Sequence, residues 1–319
     1  MAAVKLYRYL RLILSSVRRL GFFGFVVVGG LSFGLRLSPT GGIRPYQIAF
    51  RGFRWTLERR FGQIWLRWQH PEFQSFLSEI SYSGTDVPRR FALYYLGHCL
   101  EQGAKTPLFH SFLQRSFNAH SSDLIKCEFP FRNEAVICVY AHQSITKLSL
   151  SRFTQETDIF FIGRGLKQDG KKVLDPDVRA TIMTRQLLEA RRRLSKNMLV
   201  GILPDGQQGT RHLTAPFFGK LRPFKPGLGT LAATTNAPVV PIWNTLSQDG
   251  IIYINKGKAF ASDTNGDPEQ RAMQYLTQYT TVLEHIYEKH PETVQRKFIK
   301  QFLGLDLRPQ TDHLEPSEG

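Results

Sequence analysis

The stretch VYAHQSITKLS, Val139 to Ser149, sets a lone histidine directly after an apolar run. An imidazole is suited to take a proton from a hydroxyl and return it, because its ordinary pKa of about 6.5 lies near neutrality. Taken alone, His142 reads more readily as a hydrogen-bonded loop histidine, so its company decides. Arg164 follows the apolar run DIFFIG, and Asp205 and Arg211 follow MLVGIL in the loop PDGQQGTR, which also carries Gly206 and Gly209. Two guanidinium forks and a glycine-rich loop suit a phosphate or another anion. A base beside them suits a reacting hydroxyl on the same substrate. Lys147, five residues after His142, is unexpected, because an ammonium aimed at the ring would disfavour the imidazolium. It reads first as turned inward onto an anionic acceptor and second as turned outward, a solvated residue. A carboxylate from elsewhere must then orient His142. Glu134, Glu156, Asp158 and Asp205 are the candidates, with Asp205 the first choice.

Such residues meet only if a sheet brings them together. Six short apolar runs, LIKCEF, AVICVYA, DIFFIG, MLVGIL, APVVPIW and GIIYIN, are separated in several places by helical stretches, notably Pro176 to Leu194 and Pro226 to Thr235. That alternation predicts an α/β fold with a mixed, mostly parallel sheet flanked by helices. Ligands in such sheets bind beyond the carboxyl ends of the strands, where His142, Arg164 and Asp205 fall. Residues 44 to 120 read as helices, since Trp55, Leu57, Phe61, Ile64, Trp65 and Trp68 recur at steps of three and four. The chain divides into 1–38, a membrane anchor or interfacial helix; 39–120, a helical membrane-proximal region; 121–305, the α/β domain; and 306–319, a polar tail.

The net charge of +16 is concentrated at the amino end, where residues 1 to 70 hold twelve lysines and arginines against Glu58 as the only acid. No DNA- or RNA-binding motif accompanies the charge, so nucleic acid is not the expected partner. Membrane is, because the charge-free segment LGFFGFVVVGGLSFGL, Leu20 to Leu35, lies between Arg19 and Arg36. As a helix it spans about 24 Å, short of the roughly 30 Å hydrocarbon core, which suits a short span or an interfacial helix. Three cysteines without C-x-x-C spacing suggest neither a disulfide framework nor a thiolate metal site. His98, His110 and His120 lack ligand spacing, so no metal or cofactor is expected. Ser144 sits in no Gly-x-Ser-x-Gly turn and is not read as a nucleophile. The basic run ARRRLSK, Ala190 to Lys196, reads first as a solvated helix end and second as a docking patch for an acidic carrier protein.

In order, these blocks resemble the glycerolipid and lysophospholipid acyltransferase superfamily: His142; Phe161, Ile162, Gly163 and Arg164; Pro204, Asp205 and Gly206; then Val239, Val240, Pro241 and Ile242. Within it, LPDGQQGTRHLTAPFFG and KPGLGTLAATTNAPVVPIW are similar to the bacterial lipid A late acyltransferase family. The resemblance implies transfer of a fatty acyl chain from acyl carrier protein or acyl-CoA to a hydroxyl or amine of a glycolipid or lipid A-like acceptor. It also implies His142 as base and a site at the cytoplasmic face of the cell inner membrane. Two departures stand at acidic positions. Lys147 replaces the acid expected five residues after the histidine, and Gln207 stands where an aspartate is usual. They leave open an alternative, a catalytically impaired homologue that serves as a lipid- or acyl-carrier-binding partner.

Overall fold

The computed structural model describes residues 2–37, 42–127, 134–141, 143–146, 148–150, 158–163, 167–168, 171–172, 176–204, 212–260 and 266–305. Ten strands are present among them. In chain order they are β1 (Ile125–Cys127), β2 (Ile137–Tyr140), β3 (Ile159–Phe161), β4 (Lys167–Gln168), β5 (Lys171–Lys172), β6 (Leu199–Ile202), β7 (Leu213–Phe217), β8 (Lys220–Phe224), β9 (Val239–Leu246) and β10 (Ile252–Lys256). Six of them form one sheet in the order β1-β10-β9-β2-β6-β3. Its four strands β9, β2, β6 and β3 run parallel, β10 returns antiparallel to β9, and β1 lies parallel to β10. Every residue of β2 and β6 is buried. That explains why they read as unbroken apolar runs rather than as alternation: helices cover both faces of a central parallel strand. All six predicted strands are found in this sheet. The hairpin β7–β8 was not expected.

The amino-terminal helices are α1 (Ala2–Arg36), α2 (Arg44–Glu58), α3 (Arg60–Gln69), α4 (Pro71–Glu79), α5 (Val87–Gly103), α6 (Pro107–Ala119) and the short α7 (Ser121–Leu124). Prolines at the first turns of α2, α4 and α5 start them without losing a needed donor. Helix α5 is buried nearly all round, from Phe91 to Gly103, and forms the middle of this layer. After β5 come α8 (Pro176–Leu194), α9 (Gly227–Thr235), α10 (Pro268–Lys289), a 3-10 turn (Pro291–Thr293) and α11 (Arg296–Phe302). Asp267 caps α10, accepting from the backbone N–H groups of Glu269 and Gln270.

Helix α1 is not straight. Gly21 has φ 72° and ψ 161°, outside helical space, and the limbs Arg11–Arg18 and Leu20–Arg36 meet at 109°. Among the described residues no single helix is long and apolar enough to cross a membrane, although this bent pair passes the test of length and composition. The second limb has two characters. Val27, Val28, Leu31 and Leu35 are buried against the other helices, whereas Phe22, Val26 and Phe33 are exposed.

Ion pairs join this helical layer to the end of the chain. Glu72 on α4 meets His70 at 3.1 Å and Arg296 at 2.7 Å. Arg90 on α5 holds Glu292 through two bonds of 2.9 and 3.0 Å. Gln295 donates to Glu101 at 2.6 Å. The Phe217 ring of the β7–β8 hairpin lies among Tyr287, Phe298 and Phe302. The Pro-Phe-Phe-Gly segment is therefore the tip of this hairpin, fixed by aromatic packing on the carboxyl-terminal helices.

Candidate active site

The sheet register shows how the functional blocks come together. Val139 of β2 pairs with Ile202 of β6, and Gly201 of β6 pairs with Phe161 of β3. His142 is three residues past Val139, Asp205 three past Ile202, and Arg164 three past Phe161. Three adjacent parallel strands thus leave the sheet at one edge, in step, just before the three groups that the sequence singles out. The residues His142, Lys147, Arg164, Asp205, Gly206, Gly209 and Arg211 themselves lie outside the described residues, as does Glu156. Their flanks are described in detail.

The segment around position 142 is held on both sides. The Ala141 carbonyl accepts from the Gln143 N–H at 3.0 Å and from the Thr146 hydroxyl at 3.2 Å. Gln143 is buried and makes the central contacts. Its Nε2 donates to the Asn244 carbonyl at 3.0 Å and to Thr293 Oγ1 at 2.7 Å, while its Oε1 accepts from the Asn244 N–H at 2.6 Å. The Ser144 N–H donates to the Thr293 carbonyl at 3.0 Å. One side chain therefore ties the start of the loop to β9 and to the Pro291–Thr293 turn. Helix α5 backs the same loop, where a Cβ at Gly97 would stand 3.1 Å from Ser144 Oγ. Sequence reading missed Gln143. Its signal was a polar residue within an otherwise buried run, next to the proposed base.

The other two blocks have their own supports. Gly163, before Arg164, has φ 85°, a conformation that favours glycine, and its N–H donates to Gln186 Oε1 at 2.7 Å. The Pro204 carbonyl, before Asp205, accepts from the Lys225 N–H at 2.9 Å. The polypeptide that departs at Pro204 thus has its return point, after β8, beside its exit.

Two candidates for the orienting acid are excluded by position. Glu134 and Asp158 precede β2 and β3, at the amino edge of the sheet, opposite the edge at which β2 ends before His142. Asp158 is instead exposed and paired with Arg193 at 3.4 Å. The basic run also has local partners. Arg192 and Arg193 both bond Glu189, and Arg193 lies 5.1 Å from the centre of the Phe160 ring. These contacts fit a solvated helix end. Among the described residues no group of histidine, cysteine or acid side chains is placed to hold a metal. Burial pushes the Cys99 and Cys138 thiols up to about 12, so neither is a nucleophile.

Residues 122–245 match the Acyltransferase family model. The match begins in α7 and ends in β9, one residue before that strand does, so it takes in the strands that lead into His142, Arg164 and Asp205. It supports the glycerolipid acyltransferase superfamily and acyl transfer as the activity in general. No curated protein matches the chain.

Proposed function

We propose that the protein is a membrane-associated acyltransferase that moves a fatty acyl chain from an acyl thioester, on acyl carrier protein or CoA, to a hydroxyl or amine of a glycolipid or lipid A-like acceptor. The observation that carries this reading is the in-step exit of β2, β6 and β3 at one edge, within the segment that matches the Acyltransferase model. The placement at the cytoplasmic face of the inner membrane follows from the same resemblance and from the basic amino end.

In this reading His142 removes the proton from the acceptor oxygen as that oxygen attacks the thioester carbonyl. The new C–O bond forms, the C–S bond breaks, and the imidazolium returns its proton to the departing thiolate. Asp205 holds the imidazole tautomer. Loss of such an orienting acid costs about 10⁴ in rate in a serine protease. Arg164, Arg211 and Lys147 bind the anionic part of the acceptor or donor, and Gly206 and Gly209 let backbone N–H groups approach it.

Lipid mass spectrometry of cells with and without the chain tests the reading. A new acyl mass on one lipid class is expected, and the His142→Ala protein should not produce it although it folds. Lys147 at the usual acid position favours a second reading, a binding partner without turnover. The absence of any acyl transfer by the wild-type protein, from either type of thioester, would select it.

A further inference from the structure

Fifteen large apolar side chains are exposed among the described residues, and eleven of them fall between Leu12 and Trp68. All five exposed aromatic residues of that set are included. They follow helical periods. Phe22, Val26 and Phe33 share one stripe of the second limb of α1, and Ile48 and Trp55 share the outer face of α2. Phe61, Ile64 and Trp68 share the outer face of α3, exposed by 86, 58 and 75 %. The three helices pack on one another on their inner faces. Phe23 of α1 meets Trp65 of α3 at 5.0 Å between ring centres, and Gly30 of α1 lies against the Phe53 ring of α2.

Exposed cations accompany the apolar stripes. Arg36, Arg44, Arg59, Arg60 and Arg67 are exposed on or beside these helices, and Arg59 covers the Trp55 ring at 4.2 Å. Apolar and aromatic side chains interleaved with arginines are complementary to an anionic lipid surface, where rings enter the headgroup boundary and guanidinium groups meet phosphates. A monomer rarely exposes large apolar patches to water.

The face has a fixed relation to the sheet. The Tyr46 hydroxyl of α2 donates to the Gly250 carbonyl at 3.0 Å, and Arg51 clamps Asp249 with bonds of 2.6 and 2.9 Å. Asp249 and Gly250 form the turn after β9, which runs parallel to β2. The turn therefore lies at the carboxyl edge of the sheet, the edge from which the chain passes to His142.

We infer that α1, α2 and α3 form one monotopic docking face for an anionic bilayer, and that it is clamped to the reacting edge so that a lipid acceptor reaches the site without leaving the membrane. This extends the anchor beyond residues 1–38. It rests on the membrane association in the proposed function and not on acyl transfer.

The test uses the full chain and vesicles of phosphatidylethanolamine with phosphatidylglycerol. Lipids brominated near the headgroup end of the acyl chains should quench tryptophan emission, and Trp55→Phe with Trp68→Phe should remove most of that quenching. The variant Phe61→Ser, Ile64→Ser, Trp68→Ser alters only exposed positions, and its vesicle partition should fall at least about tenfold, with circular dichroism unchanged. Partition equal to the parent, or quenching that survives loss of Trp55 and Trp68, would confine the anchor to α1 and overturn the inference while leaving the acyl-transfer reading intact. Full release by high salt would also overturn it, as would failure to bind vesicles at all, which would point to a protein partner for this face.

Discussion

Gln143 shows how much of a candidate site rests on one buried side chain. Its amide satisfies the Asn244 N–H, the Asn244 carbonyl and the Thr293 hydroxyl inside the core. Replacing it by leucine takes that partner from the buried Asn244 N–H and carbonyl, each costing about 1–3 kcal/mol, while the Thr293 hydroxyl keeps its bond to the His290 carbonyl. Gln143→Leu is expected to lower the melting temperature by several degrees and to cut kcat much more than it raises KM, because binding groups stay in place while the base loses its fixed position. Differential scanning calorimetry and steady-state kinetics check the two parts. Arg164→Lys separates another role. An ammonium lacks the guanidinium fork, so KM for the anionic substrate should rise with the melting temperature unchanged; the reverse pattern would make Arg164 a structural residue. Lys147→Glu asks whether the lysine holds substrate. Activity should fall if it does, and rise if the lysine only impairs the base.

At the scale of elements, Gly163 tests the turn that delivers Arg164. Its φ of 85° disfavours any L side chain, and nothing stands within 4 Å of an added Cβ. Gly163→Ala therefore meets backbone strain without a clash, worth about 1–2 kcal/mol, and a small fall in urea midpoint with a larger loss of activity is expected. The elements also show what sequence can disclose. The central strands β2 and β6 were legible because a strand buried on both faces must be apolar throughout, and the other four because short apolar runs survive in them beside partly exposed residues. The β7–β8 hairpin was not, because Pro216 and Pro223 interrupt its pattern and the apolar Leu221 sits on its exposed side. Strand order was equally hidden. Nothing in the apolar runs says that β9 lies beside β2 or that β10 turns back along it, since those pairings are decided by crossovers of the whole chain. The candidate residues were legible as groups at strand ends. Glu134 and Asp158 were misjudged because proximity in sequence conceals that they stand at the opposite end of their strands.

For the whole molecule, the ion-paired seam between the helical layer and the carboxyl-terminal segment dictates the response to acid. Burial pushes the His98 imidazole down from 6.5 to about 3, helped by the nearby His70, Arg296 and Lys105. Burial alone would raise the Glu72 carboxyl, but the His70 hydrogen bond and the Arg296 charge outweigh it and hold it below its ordinary value. Between about pH 6.5 and 3 the unfolded chain binds a proton at position 98 that the folded chain refuses. Stability is therefore full above pH 6.5 and falls below it by about 1.4 kcal/mol per pH unit from this group. Melting temperatures measured from pH 7.5 to 5 should decline, and His98→Gln should flatten the decline. The same seam ends at Thr293, which holds Gln143 from 150 positions further along the chain. At translation speeds of 5–20 residues per second, roughly 8–30 s separate the synthesis of the two partners. During that interval the nascent chain already carries its amphipathic helices and its proposed base, but not the clasp that fixes the loop. The order of synthesis thus works as a timer: the helices proposed to dock on a membrane are made first, and the candidate loop gains its clasp only when the last helices arrive.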